Sequence, residues 1–129
     1  HADIVSLNVD NSSGRLGAEA FGSATAERTD TKIGWIREAA GDRWPEVELE
    51  VGAYLTVVDD NPDLAANFAP AFGISPAEVL EHPHVLMGSV DAICDRLVAR
   101  RERFGISYIT FFSDAMEAVA PVVARLAGT

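Results

Sequence analysis

Cysteine is almost missing: Cys94 stands alone among 129 residues, so no internal disulfide can form. That fits a reducing cytoplasm. Cys94 also falls on the apolar side of a helical pattern, where a thiol reads as packing and not as a nucleophile. Basic residues are scarce as well, with ten Lys and Arg against twenty Asp and Glu and a net charge of −10. Nucleic-acid binding depends on clustered cations, so nucleic acid is not an expected partner, and a polybasic membrane surface role is equally disfavoured. No apolar run approaches the roughly 20 residues of a membrane span, and residue 1 leads at once into a strand, so no signal peptide is expected. The sequence also lacks a glycine-rich phosphate loop of the dinucleotide or NTPase kind, and a Gly-x-Ser-x-Gly elbow. Internal repeats and low-complexity tails are missing too.

What is present is a set of strand-like runs. Val51 to Val58 is apolar on both faces, the pattern of a strand covered on both sides in a parallel sheet flanked by helices. Ile4 to Leu7 and Ile106 to Phe112 share the character. Helical patterns lie between and after them, giving the order β-α-β-α-β-α in one α/β domain over 1–129. Three parallel strands make neither a closed barrel nor a comfortable open sheet. The chain therefore reads as part of something larger.

The helices follow from caps and spacing. A first crossover helix is expected from Thr29 or Asp30, with Ile33, Ile36 and Ala40 on one side and Gly41 at its end. Trp35 and Trp44 are expected to anchor it to the sheet. The central strand is expected over about Val47 to Val58, followed by a helix with Asn61 as N-cap and Pro62 at its first position. Gly73 stops that helix, and Ser75-Pro76-Ala77-Glu78 is a capping box that starts another. From Gly88-Ser89 a clear amphipathic helix places Val90, Ile93, Cys94, Leu97, Val98 and Phe104 inward, with Arg96, Arg100, Arg101 and Arg103 mostly on a solvated face, and Gly105 caps it. Met116, Val119, Ala120, Val123 and Leu126 share a last apolar face, interrupted by Pro121, so the main helix is expected from about Ala120.

Candidate chemistry is positional. His82-Pro83-His84 resembles a metal pair, but the proline forces an extended dipeptide and no third ligand has suitable spacing, so no metal is expected. In a parallel sheet, ligands gather at the carboxyl ends of the strands. Those ends hold Asn8 and Asp10, Asp59 and Asp60, and Ser113 and Asp114. Asp59, Asp60 and Ser113 fit helix capping better than ligand binding, whereas Asn8 and Asp10 have no obvious capping task. Arg15 and Arg28 belong to the long connection 11–29, where either a binding loop or a partly helical excursion is compatible with the composition. Each arginine could meet an anion or be merely solvated.

A succession of segments then carries a family resemblance. Ala2-Asp3-Ile4-Val5 is followed by Lys32-Ile33-Gly34-Trp35-Ile36-Arg37-Glu38-Ala39-Ala40-Gly41-Asp42-Arg43, by Val47-Glu48-Leu49-Glu50, by Gly88-Ser89-Val90-Asp91, and by Arg103 to Thr110. In this order and spacing, over essentially the whole chain, it resembles the C-terminal portion of luciferase-like flavin- or deazaflavin-dependent oxidoreductases and monooxygenases, in particular the coenzyme F-420 branch. The resemblance implies a partial (β/α)8 TIM barrel, with this chain supplying about the last three βα units. It implies coenzyme F-420 or FMN as cofactor of the intact barrel, a small-molecule substrate, and catalytic residues on earlier strands outside this sequence. Asn8, Asp10, Arg15, Ser113 and Asp114 are then the substrate-side rim candidates.

Two further expectations follow. Open strand edges and the barrel-interior residues Tyr54, Tyr108 and Phe112 invite self-association or pairing with the missing N-terminal half. The chain alone is expected to be inactive. The alternative is a self-contained α/β module that binds a ligand or protein without catalysis.

Overall fold

The computed structural model describes residues 2–129. In chain order its elements are β1 (Ile4–Leu7), α1 (Ala18–Gly22), α2 (Ala26–Ala40), β2 (Glu48–Ala53), β3 (Leu55–Val58), α3 (Leu64–Phe72), α4 (Pro76–Glu81), β4 (Val85–Gly88), α5 (Val90–Phe104), β5 (Ile106–Phe111) and α6 (Met116–Leu126). Short 3-10 turns at Gly41–Glu46 and Ser113–Ala115 join α2 to β2 and β5 to α6. The fold is α/β with parallel strands.

The strands form two sheets, not one. β1, β2 and β5 pair in parallel in that order, and β3 pairs with β4 in parallel. The expected strand over Val47–Val58 is split at Tyr54, so that β2 serves the first sheet and β3 the second. Val47 itself closes the preceding turn. β4 was not visible in the sequence, because four residues after His82-Pro83-His84 are too few to show a period.

In the three-stranded sheet, burial alternates along β2, with Leu49, Val51 and Ala53 at 0%, 1% and 3% exposure. Register aligns Leu7 with Val51 and Leu49 with Ile106. A bulge between Leu49 and Glu50 inserts Ser107 and brings Ile109 opposite Val51. The inner side chains meet Ile33 of α2 and Phe104 of α5 in one cluster, and Val122 of α6 with Ile93 in the next. Burying each such side chain contributes about 1.5–3 kcal/mol. The other face has no covering layer among the described residues: Ile4 is 50%, Tyr108 47% and Phe112 46% exposed. An apolar stretch covered on both faces was expected here; β4 fits that description, and its partner β3 is half-buried. Phe21, Phe72 and Val79 from α1, α3 and α4 pack with Val85 and Met87, and Leu86 joins Ile93 and Cys94. Cys94 is buried there as a packing residue.

Several local expectations shift. Helix α2 begins at Ala26, because the Thr25 side chain accepts from the Arg28 N–H, and Thr29 is buried inside the helix. The long connection is partly helical: α1 buries Ala20 and Phe21. Trp35 is 65% exposed and anchors nothing, whereas Trp44 packs under the sheet with the Arg37 guanidinium 4.9 Å from its ring centroid. Helix α3 starts two residues after Pro62, because the Asn61 Oδ1 accepts from the Asp63 N–H in a tight turn. Pro121 lies within α6 without ending it; Pro121 and Glu117, whose carbonyl loses its partner, are both exposed. The buried side of α6 is Val119 and Val122, while Met116 and Val123 face outward. Gly41, Gly73, Gly105 and the Ser75–Glu78 capping box stand where they were expected, the last with both reciprocal bonds formed.

Candidate functional site

The carboxyl ends of β1, β2 and β5 bring a small polar and aromatic cluster together. Asn8 follows β1, Tyr54 follows β2 and Phe112 follows β5. The Tyr54 hydroxyl donates to Asn8 Oδ1, which also accepts from the Val9 N–H at 3.0 Å. Lys32 of α2 reaches over the strand end and donates from Nζ to the Asn8 carbonyl at 2.8 Å. The Tyr54 ring stacks between His84, with centroids 4.9 Å apart and planes 11° from parallel, and Phe112 at 5.8 Å. Burial raises the Tyr54 hydroxyl above its ordinary pKa and lowers the Lys32 ammonium below its own, the second helped by nearby Arg28. The cluster thus holds a neutral donor and an ammonium side by side at a strand end.

Behind it sits a tightly bonded hinge. Helix α4 ends at His82, whose extended backbone satisfies the restriction that Pro83 imposes. The His84 N–H donates to His82 Nδ1 at 3.2 Å, so the His82 proton is on Nε2 and is donated to the Phe21 carbonyl at 2.8 Å. His84 donates from Nδ1 to the Gly52 carbonyl at 2.8 Å. Burial holds His82 down at about 4 and lowers His84 as well, so both rings are neutral near pH 7. Arg100, expected on a solvated face, is only 4% exposed and donates to the carbonyls of Leu80 and Val85 at 2.9 Å and of Pro83 at 3.4 Å. It clamps the hinge onto α5. These groups hold the fold in place, and only His84 touches the strand-end cluster, through Tyr54.

The rim candidates divide. Asn8 belongs to the cluster. Asp10 is exposed, and its carboxylate accepts from the Ser12 N–H at 2.9 Å, a local turn bond that lowers its pKa; Lys32 adds a smaller favourable charge. Arg15 lies exposed in the loop. Ser113 and Asp114 sit in the exposed turn after Phe112, and no hydrogen bond joins them to Asn8 or Asp10 among the described residues. Asp59 and Asp60 stand apart at the carboxyl end of the second sheet, beside a cleft of about 260 Å³ that Gly88, Ser89 and Arg96 also line. Asp59 accepts from the Asn61 N–H at 2.8 Å and so shapes the turn into α3.

Lys32, Tyr54 and His84 were missed as site residues. Tyr54 gave no strand-end signal, because it lies within the expected Val47–Val58 strand and only the structure breaks that strand there. Lys32 gave none, since a lysine three residues into an expected helix looks like any solvated one.

No group of three or more His, Cys, Asp or Glu placed to hold a metal occurs among the described residues, and no helix there is long and apolar enough to cross a membrane. No protein-family model, curated protein or solved structure matches the chain.

Proposed function

We propose that this chain is a section of a luciferase-like oxidoreductase barrel, contributing about three of its βα units and part of the substrate-side rim. One observation supports the barrel reading above others. β1, β2 and β5 are parallel and stand side by side in sequence order, and the helices pack on one face only. Crossovers of one hand, taken in constant direction, put every helix on the same side, and a closed barrel is the arrangement in which such a sheet curls to cover its other face. A doubly wound sheet would carry helices on both faces.

The cofactor proposed for the complete barrel is coenzyme F-420 or FMN, and the activity is oxidoreduction or monooxygenation of a small molecule. A tricyclic ring of that size needs a walled slot and a grip on its phosphate. Tyr54 and Phe112 supply one aromatic wall, Asn8 and Lys32 one polar edge, and the sequence holds no glycine-rich phosphate loop. The residues present do not make a cradle for such a group. By itself the chain is inactive, and its partner is the remainder of the barrel in a cytoplasmic enzyme.

The test is the intact mass of the natural gene product with a visible absorption spectrum of the same sample. A mass near twice 13.8 kDa or more, with a flavin or deazaflavin band bound or taken up, supports the barrel. A mass of 13.8 kDa without chromophore affinity overturns it in favour of a self-contained binding module.

A further inference from the structure

The uncovered face of the first sheet is not simply apolar. Glu48 and Glu50 lie two residues apart on β2, so both side chains leave that face. Each is held by a hydroxyl from a flanking strand: Ser6 of β1 donates to Glu50, and Ser107 of β5 donates to Glu48 at 3.0 Å. Both are half-buried, and neither takes part in an ion pair among the described residues. Ile4 and Tyr108 flank them on the register-paired strands. On either side the sheet stops, since among the described residues β1 and β5 each pair only with β2.

Resting on the barrel reading, we infer that this face is completed by further parallel strands carrying an arginine or lysine against Glu48 and Glu50, and that a second copy of this chain is not its occupant. The open edges select strands, because a helix laid on the face would leave the backbone groups of β1 and β5 unpaired. The carboxylates select the charge. Enclosing them removes water, and a buried carboxylate needs a counter-charge that the described residues do not provide. A second copy laid face to face would bring its own Glu48 and Glu50 against these two, on chains that each carry −10. A copy joined edge to edge would leave both faces open.

Two short strand-forming peptides test this, identical except that one alternates valine with lysine and the other valine with glutamate. Backbone amide shifts of the chain are followed as each is added. The expected result is that the lysine peptide shifts amides of β1 or β5 and those around Ser6 and Glu50, and the glutamate peptide does not. The preference should fall about tenfold in E48Q/E50Q. It should survive in E27Q/E38Q, which removes the same charge from the exposed side of α2. Equal binding of both peptides at the face overturns the charge inference and leaves the barrel reading standing. No binding of either peptide at the face counts against both. A dimer of the wild-type chain at neutral pH, with the same amides shifted, overturns the choice of occupant.

Discussion

β2 and β3 adjoin in one chain segment, yet the two sheets they serve end in opposite environments. β4 is enclosed and its partner β3 half-buried: Val85, Leu86 and Met87 are 1%, 0% and 2% exposed, with helices on both sides of the pair. β1, β2 and β5 are enclosed on one side only, and Tyr108 and Ile4 stay about half exposed. The difference lies in the order of the helices. α1, α3 and α4 gather over one side of the β3–β4 pair while α5 and α6 close the other, whereas the three-stranded sheet receives all its helices on one face. A finished layer and an unfinished one therefore stand side by side, joined through Tyr54.

Removing the clamp on the enclosed side should have the largest effect. Arg100→Ala leaves two buried carbonyls and one half-buried carbonyl without their charged donor, and we expect a loss of about 3–5 kcal/mol in urea unfolding. Wild-type stability in Arg100→Ala would mean that the guanidinium does not clamp these segments. Next, Leu86→Ala opens a cavity between β4 and α5 and should lower stability by about 2–5 kcal/mol. A third test uses pH. His82 is held at about 4 in the folded chain against about 6.5 unfolded, so between these values the unfolded state binds the proton that the native state refuses. Stability is thus full above about pH 6.5 and falls as pH drops toward 4, by up to about 3 kcal/mol. His84, shifted the same way by burial, adds to that slope. Urea midpoints across this range should flatten in His82→Gln; an unchanged slope would assign the acid sensitivity to other groups. The smallest effect belongs to the uncovered face. Tyr108→Ser, at 47% exposure, should change stability by no more than about 0.5 kcal/mol. A loss as large as that of Leu86→Ala would mean the face is covered in solution.

Legibility in the sequence followed the range of the interactions involved. The Ser75–Glu78 capping box, Gly73 and Gly105 were readable, because each is decided within a few residues by a hydrogen bond or a left-handed φ. The start of α2 was misplaced by about four residues, since Thr25, Thr29 and Asp30 are all acceptable caps locally. Burial of Thr29 against the core decided among them. Arg100 shows the same limit. Its helical position was clear, but that its guanidinium turns inward depends on carbonyls at Leu80, Pro83 and Val85, which no local pattern exposes. Within the candidate site, Asn8 was foreseen from its place at a strand end, and Lys32 was not, because its reach to the Asn8 carbonyl is made across 24 residues of chain.

By itself the sequence determined that the chain is α/β, that β1, β2 and β5 are strands, and where most helices stop. These are outcomes of short-range sterics, capping and hydrophobic period. Tertiary structure decided that one apolar run serves two sheets, that His82, His84 and Arg100 are interior groups, and that Glu48 and Glu50 share an uncovered face. Those depend on which distant segments meet, and burial is a property of that meeting rather than of any residue alone.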